Sequence, residues 1–197
     1  MIKLIVALGN PGIQYRDSRH NIAWMLLEFL SFYPDLSWKN KFSGEIASFR
    51  IADEPRHFLR PLTFMNRSGR SVGQALQYLK ADPAELLVIH DELELDFGFI
   101  GFKEGGGLGG HNGLRSVASV LGTRDFKRVR LGISRPPHDD ITGYVLGAFS
   151  PEERDALPDF LEPAADLVAD TLAEDQFEPM TLSHRKHPLL PTGPPDA

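Results

Sequence analysis

The chain has 197 residues, a mass of 22.0 kDa and 42% hydrophobic residues, which suffices for one sizeable core and is short for two. It has no cysteine, and this excludes disulfides, thiol catalysis and cysteine-ligated metals. No apolar run reaches the roughly 18 residues that span a bilayer, and the first residues lack the long apolar stretch of a signal peptide. We therefore expect a single-domain protein of the cytoplasm with no membrane partner.

The net charge of -6 and the pI near 5.6, taken alone, argue against a nucleic-acid partner. The charge is uneven, however. Residues 1–150 hold 18 Lys and Arg against 16 Asp and Glu, whereas residues 151–197 hold 3 against 11. Within residues 101–135 there are seven basic and two acidic side chains. Because the protein has a local basic patch, its acidic net charge does not exclude an RNA partner.

Apolar spacing predicts an alternation of strands and helices. Residues 2–8 form a nearly continuous apolar run, typical of a buried strand, that ends in the loop Gly-Asn-Pro-Gly. Apolar residues then recur at helical spacing from Asn21, which places His20 at or just before a helix N-terminus. The later patterns predict, in chain order, strands at 44–51 and 56–60, a helix at 72–79, a strand at 86–90, a helix at 114–121 and a strand at 129–133.

The C-terminal part is acidic and rich in proline. Residues 152–175 predict a helical region that Pro158 and Pro163 interrupt. From about Glu178 the chain has five prolines and few apolar residues, which predicts a disordered tail at 178–197 after one domain at 1–177. Strands that alternate with helices over one core indicate an α/β fold, with a partly parallel sheet covered by helices on both faces.

Polar side chains end two of the predicted buried strands. Asn10 follows the first strand and Asp91 follows the strand at 86–90, so we expect both at the sheet edge where α/β proteins bind ligands. His20 could join Asp91 there as a dyad, in which the carboxylate holds one imidazole tautomer while the other nitrogen takes a proton from water. Helix capping and strand termination are the alternative roles of these residues.

Three asparagines, Asn10, Asn66 and Asn112, lie beside glycines or loops at the ends of predicted elements. Each alone could be a turn residue or a helix cap. Together they favour a site, because neutral amides can donate to a developing oxyanion and accept from a substrate N–H. This combination suits acyl chemistry on a peptide-like substrate.

Residues 98–113 contain eight glycines. No Gly-Lys-Ser/Thr follows them, and the spacing does not fit a dinucleotide fingerprint, so a nucleotide-binding loop is excluded. A flexible rim beside an active site and a purely structural loop both remain open. Basic side chains such as those at 103–135 usually form a solvated face. If they are functional, Lys103 and Arg130 on adjoining predicted strands could bind a phosphate between them.

Other catalytic classes lack their signatures. There is no Gly-x-Ser-x-Gly elbow for a serine triad, and the seven histidines are scattered without an HExxH motif. We therefore expect no metal and no cofactor, and a reaction driven by a general base.

Five motifs occur in one order along the chain: LIVALGNPG with YRDSRHN, RPLTFMNRSG, VIHDELELDFG, KEGGGLGGHNGLRS and FKRVRLGISRP. With these motifs the chain resembles the bacterial peptidyl-tRNA hydrolase family from Ile2 to about Asp175. The resemblance implies a single α/β domain with a twisted mixed sheet between helices. It also implies hydrolysis of the ester that joins a peptide, or another N-blocked aminoacyl group, to the 3′ end of tRNA, which returns prematurely released tRNA to translation.

The resemblance implies a role for each site residue. His20 resembles the catalytic base and Asp91 its supporting acid, while Asn10 would position the substrate end or the water. The other residues would hold the peptide portion, line the cleft or stabilise the oxyanion: Tyr15, Phe64, Met65, Asn66, His111 and Asn112.

Lys103 and Arg130 match a basic pair that clamps the 5′ phosphate of tRNA, with Arg128 as a supporting charge. Ser18 stands where threonine is usual, and it keeps the hydroxyl. Gly101 stands where some family members carry a second lysine, so the clamp would depend more on the remaining cations.

Two other functional classes compete with this interpretation. A non-catalytic RNA-binding protein on the same fold would bind without turnover, and the retained His20 and Asp91 argue against it. A protease or amidase would need the thiol, metal or serine elbow that the sequence lacks. The expected partner is peptidyl-tRNA, contacted at its acceptor end and 5′ phosphate, and we expect a monomer with no obligatory protein partner.

Overall fold

The computed structural model describes residues 1–137 and 139–183 of the chain. The strands of this part are β1 Leu4–Ala7, β2 Lys39–Lys41, β3 Gly44–Ile51, β4 Glu54–Pro61, β5 Leu86–Glu92, β6 Phe99–Glu104, β7 Lys127–Gly132 and β8 Met180–Ser183. Its helices are α1 Ile22–Glu28, α2 Ser68–Leu79, α3 Asn112–Leu121, α4 Ile141–Leu146 and α5 Pro151–Glu174. Short 3-10 turns include Arg19–Asn21 and Met65–Arg67.

The eight strands form one mixed sheet in the order β2-β3-β4-β1-β5-β7-β6-β8. Its centre is parallel: β1 pairs with β4 and β5, and β5 pairs with β7. The outer pairs are antiparallel, with β2 and β3 at one edge and β6 and β8 at the other. Because β1 and β5 are parallel neighbours, their carboxyl ends meet at one edge of the sheet.

Helices cover both faces of the sheet, and the alternation of side chains in β1 shows why. Ile5 and Ala7 face one hydrophobic cluster, which they share with α1 and α5. Leu4 and Val6 face a second cluster, which includes apolar residues of α2 and α3. A strand buried on both faces needs the continuous apolar run that the sequence has there. The predicted single-domain α/β fold, with a mixed sheet between helices, is confirmed.

The acidic C-terminal segment forms one continuous helix, α5, so the predicted interruption is wrong. Pro158 and Pro163 lie inside it, and each removes one backbone hydrogen bond of the helix. The helix persists because its apolar face is buried against the sheet and α1, with Phe160, Leu161 and Val168 among the buried residues. Neither α5 nor another helix of the described part combines the length and apolar character needed to cross a membrane.

The predicted start of a disordered tail at residue 178 also needs correction. Met180–Ser183 form β8, which pairs with β6 at the sheet edge. Apolar spacing in so short a segment is a weak signal, and the strand exists because the edge of β6 offers free backbone groups. The rest of the predicted tail, 184–197, lies outside the described residues.

Helices α2 and α3 pack closely at Gly69, where a side chain would collide with the backbone of Ser116. We expect Gly69→Ala to lower the free energy of unfolding by about 1–3 kcal/mol, because the helices must separate. Chemical denaturation measures this. Gly73→Ala in the same helix is the matched control, since a methyl group there meets only the side chain of Val120, which is exposed and can move toward solvent. Equal stability of the two variants would contradict the close packing at Gly69.

Candidate active site

The ends of β1 and β5 bring the first two predicted residues together. The Leu8 N–H donates to the Ile89 carbonyl at 3.0 Å, which continues the parallel pairing just beyond β1. Asn10 then lies in the loop after β1, and Asp91 lies near the end of β5. Both side chains are buried and both line the same cleft.

His20 approaches Asp91 from the 3-10 turn that precedes α1. Its Nδ1 lies 2.7 Å from Asp91 Oδ1, and the two side chains are only 9% and 2% exposed. With the carboxylate ionised, Nδ1 carries the proton and donates it, so Nε2 keeps a free lone pair. This is the tautomer that a general base needs.

Burial and charge oppose each other in this pair. Burial alone lowers the pKa of His20, but the adjacent Asp91 charge and its hydrogen bond outweigh burial and raise the pKa above the ordinary imidazole value. Burial alone raises the pKa of Asp91, but the two neighbouring imidazoles outweigh it and lower the pKa of the carboxyl well below its usual range. Asp91 is therefore a permanent anion at neutral pH.

His111 is the second imidazole on Asp91. Its Nδ1 caps α3 by accepting from the N–H groups of Gly113 at 3.1 Å and Leu114 at 3.3 Å. Its Nε2 must then carry the proton, and it donates to Asp91 Oδ1 at 2.9 Å. Backbone capping thus holds His111 as a neutral donor, which suits it to orient Asp91 and not to act as a base.

In the described part of the chain, His20, Asp91 and His111 offer three potential metal-ligand atoms within 4.8 Å of one another. A metal on His111 Nε2 would need the proton to move to Nδ1, where it would face the two backbone N–H groups of the helix cap. The hydrogen-bonded trio is thus already internally satisfied. The expectation that the site uses no metal stays a prediction.

Asn10 is held by a residue that sequence reasoning missed. The Asn10 N–H donates to Asn21 Oδ1 at 2.7 Å, and Asn21 Nδ2 donates back to the Asn10 carbonyl at 3.0 Å. Asn10 Oδ1 accepts from the Met65 N–H at 2.8 Å, which leaves the amide NH₂ of Asn10 for the cleft. Asn21 directly follows His20, but nothing in its local sequence links it to a loop eleven residues earlier.

These groups line a cleft of about 320 Å³. It gathers every predicted catalytic and substrate-binding residue: Asn10, Tyr15, His20, Phe64, Met65, Asn66, Asp91, His111 and Asn112. Sequence reasoning missed the part of the lining that α4 supplies: Ile141, Thr142, Val145 and Leu146. A short helix of mixed polarity carries little periodic signal, which explains the omission.

The glycine-rich loop has both of the roles left open by the sequence. Gly105, Gly106, Gly109 and Gly110 have positive φ angles, which side-chain-bearing residues adopt at a cost. Gly109 and Gly110 also line the cleft directly before His111. The loop is therefore a required turn and a rim of the site.

A family model for peptidyl-tRNA hydrolase matches residues 4–188. The chain belongs to the peptidyl-tRNA hydrolase family. A peptidyl-tRNA hydrolase of Treponema pallidum (strain Nichols) is 50% identical, over 96% of this chain and 97% of its own. One of Geotalea daltonii is 45% identical over 94% and 97% of the two chains. The crystal structure of peptidyl-tRNA hydrolase from Acinetobacter baumannii matches with a TM-score of 0.80 at 35% identity, over 89% of this chain and 90% of that one.

These matches confirm the family, the enzyme class and the hydrolase function that the motifs predicted. The roles of the individual site residues stay predictions. In this peptidyl-tRNA hydrolase the predicted phosphate residues lie outside the cleft, on β6 and β7. Lys103 pairs in register with Arg128, and Gly101 with Arg130, so Lys103 and Arg130 are diagonal neighbours on one face of the sheet.

The supporting role predicted for Arg128 is wrong. Its side chain is only 1% exposed, and its guanidinium donates to the carbonyl oxygens of Gly105 and Gly107. Arg128 therefore holds the glycine-rich loop and cannot present its charge to a phosphate. Arg130 differs, because Glu92 binds only its Nε, at 2.9 Å.

The opposing effects on His20 predict its titration. We expect the imidazole of His20 to titrate above the ordinary value near 6.5, since Asp91 stabilises its protonated form. In Asp91→Asn the charge is lost and burial remains, so the pKa of His20 should fall below that of the parent chain. NMR-monitored pH titration of the imidazole measures both. An unchanged or higher pKa in Asp91→Asn would contradict the assigned cause.

Proposed function

We propose that the chain hydrolyses the ester between the peptide, or another N-blocked aminoacyl group, and the 3′ end of tRNA, with His20 as general base. The observation that carries this proposal is the shared Asp91 Oδ1, which accepts from His20 and His111 beside three asparagines in one cleft. An ester needs a positioned water, a base and an oxyanion donor, and this cleft offers residues for all three.

The reaction begins when Nε2 of His20 takes a proton from water as the water oxygen attacks the ester carbonyl carbon. The imidazolium that forms is stabilised by the anionic Asp91 at 2.7 Å. The carbonyl oxygen becomes an oxyanion, and the free amide NH₂ of Asn10 is a donor for it or for the water. The tetrahedral intermediate then collapses: the bond to the tRNA 3′ oxygen breaks, and that oxygen takes the proton from His20.

The remaining cleft residues suit the acyl side of the substrate. Asn66 and Asn112 are exposed amides that can pair with peptide N–H and C=O groups. Phe64 and Ile141 have large apolar side chains, and both line the cleft. Each is more than a third exposed in the described part of the chain. Tyr15 and Met65 complete a surface that can accept a peptide of varied sequence.

The tRNA side is assigned to Lys103 and Arg130. Glu92 occupies Arg130 Nε and fixes the direction of the guanidinium, so the terminal nitrogens are the groups available to a phosphate. Lys103 lies diagonally across from it on the same face of the sheet. Two placed cations outside the cleft would bind the 5′ phosphate while the acyl ester lies at His20, and free peptides lack this anchor.

The proposal needs no metal, cofactor or obligatory protein partner. We place the enzyme in the cytoplasm as a monomer, where it would free tRNA from prematurely released peptidyl-tRNA and so support ribosome rescue and translation. The family match supports the peptidyl-tRNA substrate.

Removal of the base should nearly abolish turnover. We expect His20→Ala to lower kcat for N-acetylaminoacyl-tRNA by about 10²- to 10⁴-fold, the contribution of a positioned general base. Single-turnover deacylation measures this, with unblocked aminoacyl-tRNA as substrate control and thermal unfolding as folding control. Near-normal turnover by the folded variant would refute the base assignment. Binding of peptidyl-tRNA without turnover by the unmodified chain would instead favour the RNA-binding alternative.

The clamp should show in the salt dependence of binding. Lys103→Ala and Arg130→Ala should each raise KM for tRNA substrates and lower the slope of log KM against log salt by about one unit. Arg128→Lys is the control: it should lower stability without changing the slope, because the buried Arg128 guanidinium donates to carbonyls of the glycine-rich loop. Parent-like slopes in both alanine variants would contradict a phosphate role.

A further inference from the structure

Arg19 directly precedes His20, and the mechanism above does not use it. Its side chain does not line the cleft; it extends toward the segment between α4 and α5. There Arg19 Nη1 donates to the Ala148 carbonyl at 2.7 Å, and Nη2 pairs with Glu153 Oε2 at 2.5 Å. The guanidinium also stacks over the ring of Tyr144, 4.3 Å from its centroid.

The backbone around Arg19 contacts the same segment between α4 and α5. The Arg19 N–H donates to the Gly147 carbonyl at 3.0 Å, and Ser18 forms an antiparallel bridge with Ala148. The turn that carries His20 is therefore fastened to the C-terminal end of α4 by both backbone and side chain. Residue 19 is separated from this segment by more than 120 positions in the sequence.

Glu153 is also held in place by a contact that does not involve Arg19. It is the third residue of α5, and its Oε2 accepts from the Ser150 N–H at 2.7 Å in a capping box. The Arg19 and Glu153 side chains are 11% and 12% exposed, so solvent screens their pairing little. At the other side of the guanidinium, the Tyr144 hydroxyl donates to the Ile133 carbonyl at 2.5 Å, which fixes the ring.

We propose that Arg19 is a positioning residue that sets the distance between the base, His20, and the apolar wall that α4 presents to the acyl group. The inference rests on the proposed role of His20. Val145 and Leu146 of α4 line the same cleft as His20, so a shift of α4 relative to the His20 turn moves the bound acyl group relative to Nε2. A guanidinium is required because it serves a carbonyl, a carboxylate and a ring face at once, whereas an ammonium lacks the planar fork.

Arg19→Lys tests the inference, since it keeps the charge and loses the fork. We expect kcat for N-acetylaminoacyl-tRNA to fall about 10- to 100-fold, as a small misplacement of reacting groups does. KM should change by less than about threefold, because the tRNA phosphate anchor lies elsewhere. Glu153→Gln keeps the cap acceptor and removes the charge, and it should lower kcat in the same sense by a smaller factor.

Arg16→Lys and Arg154→Gln are matched controls, one in the same segment as Arg19 and one beside Glu153, and both residues are exposed. Both should keep the parent kcat. If Arg19→Lys lowers only the unfolding temperature while kcat per folded molecule stays within about twofold, Arg19 is merely structural and the inference fails. If Arg19→Lys does not fold, a parent-like kcat in Glu153→Gln overturns it.

His20→Ala in the same assay separates the two proposals. An inactive His20→Ala with a fully active Arg19→Lys refutes the positioning role alone. An active His20→Ala refutes the proposed mechanism itself.

Discussion

The site depends on one buried carboxylate oxygen, Asp91 Oδ1, which accepts hydrogen bonds from two imidazoles at 2.7 and 2.9 Å. A buried anion is costly unless it is paired, and here two N–H donors from distant parts of the chain supply the pairing. His20 comes from the turn before α1 and His111 from the N-terminus of α3. The hydrogen bonds that stabilise the carboxylate therefore bring the two imidazoles together in the folded chain.

The two imidazoles on Asp91 have different chemistry although they share an acceptor. Backbone N–H groups occupy Nδ1 of His111, so its second nitrogen can only donate. Within the described residues no backbone N–H caps His20, so its second nitrogen can exchange a proton with water. The backbone thus leaves His20, and not His111, suited to the role of general base that we propose.

The acidic net charge is compatible with a nucleic-acid substrate because the positive and negative charges lie in different parts of the chain. Two cations of the basic patch are bound internally: Arg128 by loop carbonyls and Arg130 in part by Glu92. Recognition of tRNA would then depend on a few cations at fixed positions. An enzyme that binds tRNA in this way would release its product more readily than one with a broad basic surface. The number of basic residues in the sequence exceeds the number of cations that the surface presents, because Arg128 is buried.

The sequence by itself determined the α/β fold and the strand ends that carry Asn10 and Asp91, since apolar periodicity encodes these directly. Its motifs also indicated the predicted site residues of the cleft, but not those of α4. It predicted an interruption of α5 that does not occur and missed β8, because packing and a free sheet edge override local propensity. Only the tertiary structure decided that Asn21 holds Asn10 and that Arg128 is buried. It also decided that α4 lines the cleft and that Arg19 binds the segment after α4. These facts are contacts between residues far apart in the chain or in different elements, and such contacts leave no periodic trace in a single sequence.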